Sequence, residues 1–400
     1  MTDLTRFKNC FAHKNAIYLS TTEGAKPCCW FEGGTTEPAT WKEYQDDISK
    51  VDIAKGCAHC IKAEGGGSEW SHRKLYQDKF YRDHGNVFLI GVCFDNICNI
   101  KCTTCNPTSS SQWIDDYDKL EFWGKSDINR RQAIRMSKQA PDKIALIKDV
   151  IENVSFDILK FEFYGGEPLI NPTVLKFIDW LAESPHASKI ALNFTSNGTT
   201  YLQNMDHYLT VFRSVSMQCS IDGITDKFEY LRFLAKWSIV ETNLKKYYEI
   251  SVARPDKFRF GMNYTLSWMN AADFGDYCRW VATTFPDLSH MSQYISKLSH
   301  PIYYSSDNLS PEQKAIILVD NKAKIDAIPL QVMDESDGIH FDKLYTFFET
   351  SLLPYQTEHY KDPGVIPEGL AMMDKLDIIR HTDYKNLFEP ILTQLGHNND

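Results

Sequence analysis

The chain has 400 residues, enough for one large catalytic domain plus extensions. Hydrophobic residues make up 43% and aromatics 13%, which supports a sizeable core and argues against disorder. The net charge of −10 disfavours non-specific nucleic-acid binding, which needs a positive surface, and leaves a basic peptide or a neutral small substrate open.

The opening stretch Met1–Lys8 lacks the apolar core of a secretory signal. No apolar run approaches the roughly 18 residues of a transmembrane helix. The expected setting is therefore cytoplasmic, with no membrane and no nucleic-acid partner. Eleven cysteines then need a reason, and nine of them fall in the first 105 residues. In a reducing compartment, clustered cysteines read as metal or iron–sulfur ligands rather than disulfides. Cys93, Cys219 and Cys278 stand apart and read as ordinary buried thiols.

Residues 1–75 are Cys-rich and turn-rich, closing on Glu64-Gly65-Gly66-Gly67-Ser68. A linking helix is expected over 76–84. From about 85, apolar strands alternate with amphipathic helices. The strand candidates are 87–92, 158–164, 189–194, 214–221, 258–266 and a weaker one at 293–295. After the second, Asn171 can cap a helix with Pro172 at its first position, burying Val174, Leu175, Ile178 and Leu181. Strand–helix alternation implies a parallel sheet with crossover helices. The expected fold is α/β: a partial (β/α)6 TIM-like barrel over 85–300, a Cys-rich module over 1–84 and a helical extension over 301–400. In the last, Ser310-Pro311-Glu312-Gln313 reads as a capping box, and Pro354, Pro363 and Pro367 break the helices. In such barrels the chemistry sits on loops at the C-terminal ends of strands.

The motifs fall on those loops. Cys98, Cys102 and Cys105 form a C-x3-C-x2-C run just after the first strand. Three cysteines in one loop can hold three irons of a [4Fe–4S] cube and leave the fourth open to a ligand. A zinc knot completed by a remote residue is the alternative. Gly165-Gly166-Glu167-Pro168 follows the second strand, where two glycines permit positive φ and close approach of a ligand. Thr195-Ser196-Asn197-Gly198 follows the third, as polar contacts or as a plain turn. The fourth ends in Ser220-Ile221-Asp222-Gly223, with Arg232 beyond, able to fork onto a carboxylate. Asn263 lies on the fifth.

Motifs of this kind, in this order, resemble the radical S-adenosylmethionine (SAM) superfamily over residues 85–300. The resemblance implies that Cys98, Cys102 and Cys105 hold a [4Fe–4S] cluster whose open iron binds SAM. It implies SAM contacts at Gly165, Gly166, Glu167, Pro168, Ser196, Asn197, Ser220, Asp222, Arg232 and Asn263. The cofactor would carry the radical chemistry, with a flavodoxin- or ferredoxin-type electron donor. One departure is Thr104, where the family has an aromatic residue before the third cysteine.

Cys10, Cys28, Cys29, Cys57 and Cys60 form a second set, with Cys57 and Cys60 as a C-x2-C pair. It is similar to the auxiliary-cluster modules called SPASM and twitch, implying a second [4Fe–4S] cluster; a structural zinc site with the same thiolates stays open. Of the adjacent Cys28 and Cys29, one is expected to ligate. Together with the Ser-x-Asp-Gly…Arg pattern, this set implies a peptide or protein substrate. A small-molecule substrate and, further off, a non-catalytic zinc protein are the alternatives.

Overall fold

The computed structural model describes residues 4–20, 24–33, 36–65, 71–81, 86–122, 130–131, 133–134, 143–328, 341–353 and 365–396. The Gly66–Ser68 turn, the end of the linking helix at 82–84, and Pro354 and Pro363 lie outside them. The chain divides into two compact units. The first is Met1–Ile97, Arg131–Thr195 and Leu202–Ser216; the second is Cys98–Arg130, Ser196–Tyr201 and Met217–Asp400.

In the first unit, β1 (Ala16–Ser20), β3 (Val87–Val92), β5 (Ile158–Phe163) and β6 (Ile190–Ser196) pair in parallel in that order. β2 (Gly24–Lys26) adds to β1 as an antiparallel edge. Residues 16–20 and 24–26 thus belong to the sheet. The cysteine-rich segment also holds more helix than its turn-like composition suggests. Thr40 caps the helix Trp41–Ile48 in a full capping box with Glu43, and Asp52 caps Ile53–Gly56. The linking helix runs His72–Tyr81.

Alternation along β5 sends Leu159, Phe161 and Phe163 into the core and leaves Lys160 and Glu162 half-buried. Over that apolar face lies the helix Pro172–Ala182, capped by Asn171 as expected. Its Phe177 meets Phe161 edge-on at 5.6 Å and Phe94 at 5.4 Å. Buried phenyl groups of this kind contribute about 1.5–3 kcal/mol each. On the opposite face Tyr18 donates to Glu162 at 2.6 Å. Its ring crosses β3 where only Gly91 leaves room: a Cβ there would sit 2.3 Å from the ring.

In the second unit, β9 (Phe258–Leu266) and β10 (Met291–Lys297) pair in parallel, with Asn263 opposite Tyr294. β4 (Lys101–Cys102) and β8 (Arg232–Phe233) form a short antiparallel ladder with Cys102 opposite Arg232. β7 (Ser214–Ser220) runs from the first unit into the second. Tyr247 of the helix Trp237–Ala253 stacks on Phe258 at 6.0 Å. Phe274 of the helix Phe274–Thr284 stacks on Phe348 at 4.3 Å. The capping box of Ser310 and Gln313 opens the helix Pro311–Asp326, and Phe341–Leu352 and Val365–Arg380 follow. Pro367 lies inside the last, near its start, rather than breaking it. No strand occurs among the described residues past 300.

The fold class is α/β, with mostly parallel strands and helices packed on them. All six strands expected between 85 and 300 are present, the weak sixth growing to seven residues.

Candidate active site

The triad loop belongs to the second unit. Cys98 is buried, and Cys102 and Cys105 are half-buried. Cys102 is held in the β4–β8 ladder opposite Arg232, and Thr103 N donates to Leu231 O at 2.7 Å. Arg232 Nη1 donates to Cys102 Sγ at 3.6 Å, while its Nη2 lies 2.7 Å from Asp222 Oδ2. Thr265 N donates to Asp222 Oδ1 at 3.2 Å. The Arg232 Nε is buried with no hydrogen-bond partner.

A second strand of contacts reaches Cys98. Asn197 Nδ2 donates to Asn99 Oδ1 at 2.9 Å and lies 3.9 Å from Cys98 Sγ; Asn99 Nδ2 returns a bond to Thr199 Oγ1 at 2.8 Å. Ser196 Oγ accepts from Gly198 N at 3.1 Å, closing the turn. The Ser196–Gly198 segment is therefore both a turn and a partner of the cysteine loop. Asn99 and Thr199 were not singled out from sequence; small polar residues inside two motif loops carry no periodic signal.

Burial pushes the Cys102 thiol up to about 11, against the pull of the Arg232 guanidinium. Burial, and then Cys102, raise Cys105 as well. Free of a ligand, these thiols hold their protons at neutral pH. Ligation would expel the protons, as metal binding to thiols does.

Ser220 is half-buried at the end of β7. Asn263 accepts from Ser296 Oγ at 2.7 Å. Its neighbour Tyr264 points to the other face of β9, fully buried against Tyr277 at 4.9 Å and donating to Asn270 O at 2.7 Å. Tyr294 is half-exposed and Cys219 is buried.

Gly165-Gly166-Glu167-Pro168 lies in the first unit. Gly165 and Gly166 have φ of +81° and +54°. A Cβ on Gly166 would stand 2.1 Å from Ile97 O, and one on Gly165 2.1 Å from Cys93 Sγ. Glu167 N donates to Ile97 O at 2.7 Å, so the motif is tied to the segment immediately preceding Cys98 in the chain. Glu167 is fully buried and its carboxylate caps the turn Pro168–Ile170 through Leu169 N at 3.1 Å.

The second cysteine set comes together within the first unit. Cys10, Cys28, Cys57 and Cys60 line one cavity with His13, Trp30, His72 and Tyr76. Cys29 is exposed and is not among the lining residues. Burial pushes Cys57 up to about 12, with Cys10 and Cys60 adding to the rise. His13 Nε2 lies 3.6 Å from Cys57 Sγ. His59 stacks on Trp30 at 4.5 Å and does not line the cavity. Among the described residues, no three His, Cys, Asp or Glu side chains gather closely enough for a single metal ion. No helix among the described residues is long and apolar enough to cross a membrane.

No family model matches the chain. A curated relative, a GTP 3',8-cyclase of Cyanothece sp., is 23% identical over 155 residues, 38% of this chain and 41% of its own length. The chain thus spans about two fifths of the curated relative that it matches. Among solved structures, anSMEcpe with bound AdoMet covers 59% of each chain at 18% identity, with a TM-score of 0.37. Streptococcus suis SuiB bound to precursor peptide SuiA covers 69% of this chain and 47% of that one at 12% identity, with a TM-score of 0.30. Likenesses that loose carry no argument about activity. With its cysteine loop and motif order, the chain resembles the radical SAM superfamily.

Proposed function

We propose that the protein is a radical SAM enzyme that modifies a peptide or protein side chain. The observation that carries the reading is the loop of Cys98, Cys102 and Cys105, with a buried Arg232 on Cys102 Sγ whose Nε lacks a partner. Three thiols and one unsatisfied buried donor are the set that a three-cysteine cluster with an anionic ligand needs. When bound, a [4Fe–4S] cluster with SAM supplies a 5′-deoxyadenosyl radical that removes a hydrogen atom from substrate.

This chain's residues hold and orient. Cys98, Cys102 and Cys105 are the cluster ligands. Arg232, kept charged by Asp222, donates to the ligand sulfur and offers Nε to a carboxylate. Asn197 steadies the loop beside Cys98. By the resemblance, Gly165, Gly166 and Glu167 take the SAM amino group, their backbone bend requiring glycine. Pro168, Ser196, Ser220 and Asn263 complete the cofactor contacts.

Cys10, Cys28, Cys57 and Cys60 are the ligands of an auxiliary [4Fe–4S] cluster, supported by their shared cavity. Cys29 is left out of that set. The segment 1–84 serves as the auxiliary module, 85–300 as the SAM-cleaving barrel and 301–400 as a helical extension. The setting is cytoplasmic, and the electron donor is of flavodoxin or ferredoxin type. A peptide substrate is supported by the auxiliary cysteine set and the Ser-x-Asp-Gly…Arg pattern. The matched cyclase, named for a nucleotide, favours a small-molecule substrate as the second reading.

The test is anaerobic incubation of reconstituted protein with SAM and dithionite. The reading predicts 5′-deoxyadenosine and methionine from the wild type and neither from a Cys98/Cys102/Cys105→Ala variant. Intact SAM in both would overturn it. Binding titrations with peptides and with GTP then separate the two substrate classes.

A further inference from the structure

Arg380 closes the helix Val365–Arg380, 264 residues away in sequence from the carboxylate it holds. Its side chain is 3% exposed and that of Asp116 is 1% exposed. Arg380 Nε and Nη2 both lie 2.9 Å from Asp116 Oδ2. The other carboxylate oxygen, Oδ1, accepts from Lys101 Nζ at 2.6 Å. The guanidinium carbon sits 4.6 Å from the Trp113 ring centre and 5.0 Å from that of Phe233.

Each of those partners is fastened to the cysteine loop. Lys101 directly precedes Cys102. Trp113 Nε1 donates to Cys102 O at 2.9 Å. Phe233 pairs with Lys101 in the β4–β8 ladder. All of these groups lie within the second unit. A surface arginine would contribute little, but Arg380 and Lys101 share one buried carboxylate here, with the exposed Asp115 Oδ2 also 3.6 Å from Lys101 Nζ, and the Arg380 charge is felt at Cys102.

We infer that Arg380 is a positioning residue for the triad: through Asp116 and Trp113 it fixes the Lys101–Cys102 segment, and its charge stabilises the reduced state of whatever cluster Cys102 helps to hold. The inference rests on the radical SAM reading of that triad. Positive charge near a cluster favours the more negative, reduced form.

The test uses the full chain, reconstituted anaerobically, as wild type, Arg380→Gln and Arg380→Lys. The readout is the reduced-to-oxidised ratio, at fixed applied potential, of the cluster whose electron paramagnetic resonance signal changes on SAM addition. Arg380→Gln is expected to lower that ratio about tenfold, equivalent to about 59 mV for one electron. Arg380→Lys keeps the charge and is expected to restore most of it, which a purely structural role would not do. A ratio in Arg380→Gln within twofold of wild type overturns the inference. Should Arg380→Gln fail to load iron, Lys101→Met decides: a fall in the ratio supports the inference, and an unchanged ratio overturns it. Failure of the underlying reading shows separately, as a wild type with no SAM-responsive signal, and takes this inference with it.

Discussion

Replacing Asp222 by Asn removes the charge that Arg232 faces while keeping the shape. The pair is 2.7 Å apart, with side chains 7% and 8% exposed. At an effective dielectric near 20, the direct attraction is about 6 kcal/mol, most of which offsets the cost of burying both ions. Leaving Arg232 charged and without its counter-ion in that site should therefore destabilise the second unit by about 3–5 kcal/mol, whereas an exposed pair would lose under about 1. The assay is urea unfolding of wild type, Asp222→Asn, Arg232→Gln and the double variant. The double variant should be much less destabilised than the sum of the singles, with a coupling of at least about 2 kcal/mol. A loss below about 1 kcal/mol in Asp222→Asn, or additive singles, would refute the claim that Arg232 is held as a buried cation at the triad.

Gly166→Ala forces a Cβ to 2.1 Å from Ile97 O at a φ of +54°, and should cost about 2–4 kcal/mol and reduce iron uptake, read by denaturation and iron assay. Thr40→Ala should cost about 1 kcal/mol by urea melting, because it undoes the capping box with Glu43. Tyr208 donates to Asp179 at 2.7 Å and its phenol is pushed up to about 12 by burial first and then by that carboxylate. A raised folded value means that the stability it contributes is present below pH 10 and is lost as pH rises from 10 through 12. Tyr208→Phe should abolish that alkaline loss, at most about 2–3 kcal/mol, measured by unfolding at stepped pH; an unchanged alkaline profile would count against it.

Much of the fold was legible because apolar runs and caps are local signals. The six strands between 85 and 300, the Asn171–Pro172 helix start and the Ser310 capping box all follow from short spacings. What was not legible depends on distant partners. β1 reads as an ordinary short run until β3 lies beside it. The Thr40–Glu43 capping box is a local signal of the same kind as that of Ser310. At the site, the triad and its motif order were plain, yet which of two adjacent cysteines faces a cavity depends on backbone direction, not composition. Cys28 lines it and Cys29 does not. Arg380 carries no motif at all; only the folded chain brings it to Asp116.

The central claim is tested most directly by iron and acid-labile sulfide per chain after anaerobic reconstitution, in wild type and in the Cys98/Cys102/Cys105→Ala variant. Two cubane clusters, one in the triad, predict about eight irons falling to about four, with sulfide in step. Zinc without sulfide in both proteins would contradict the account.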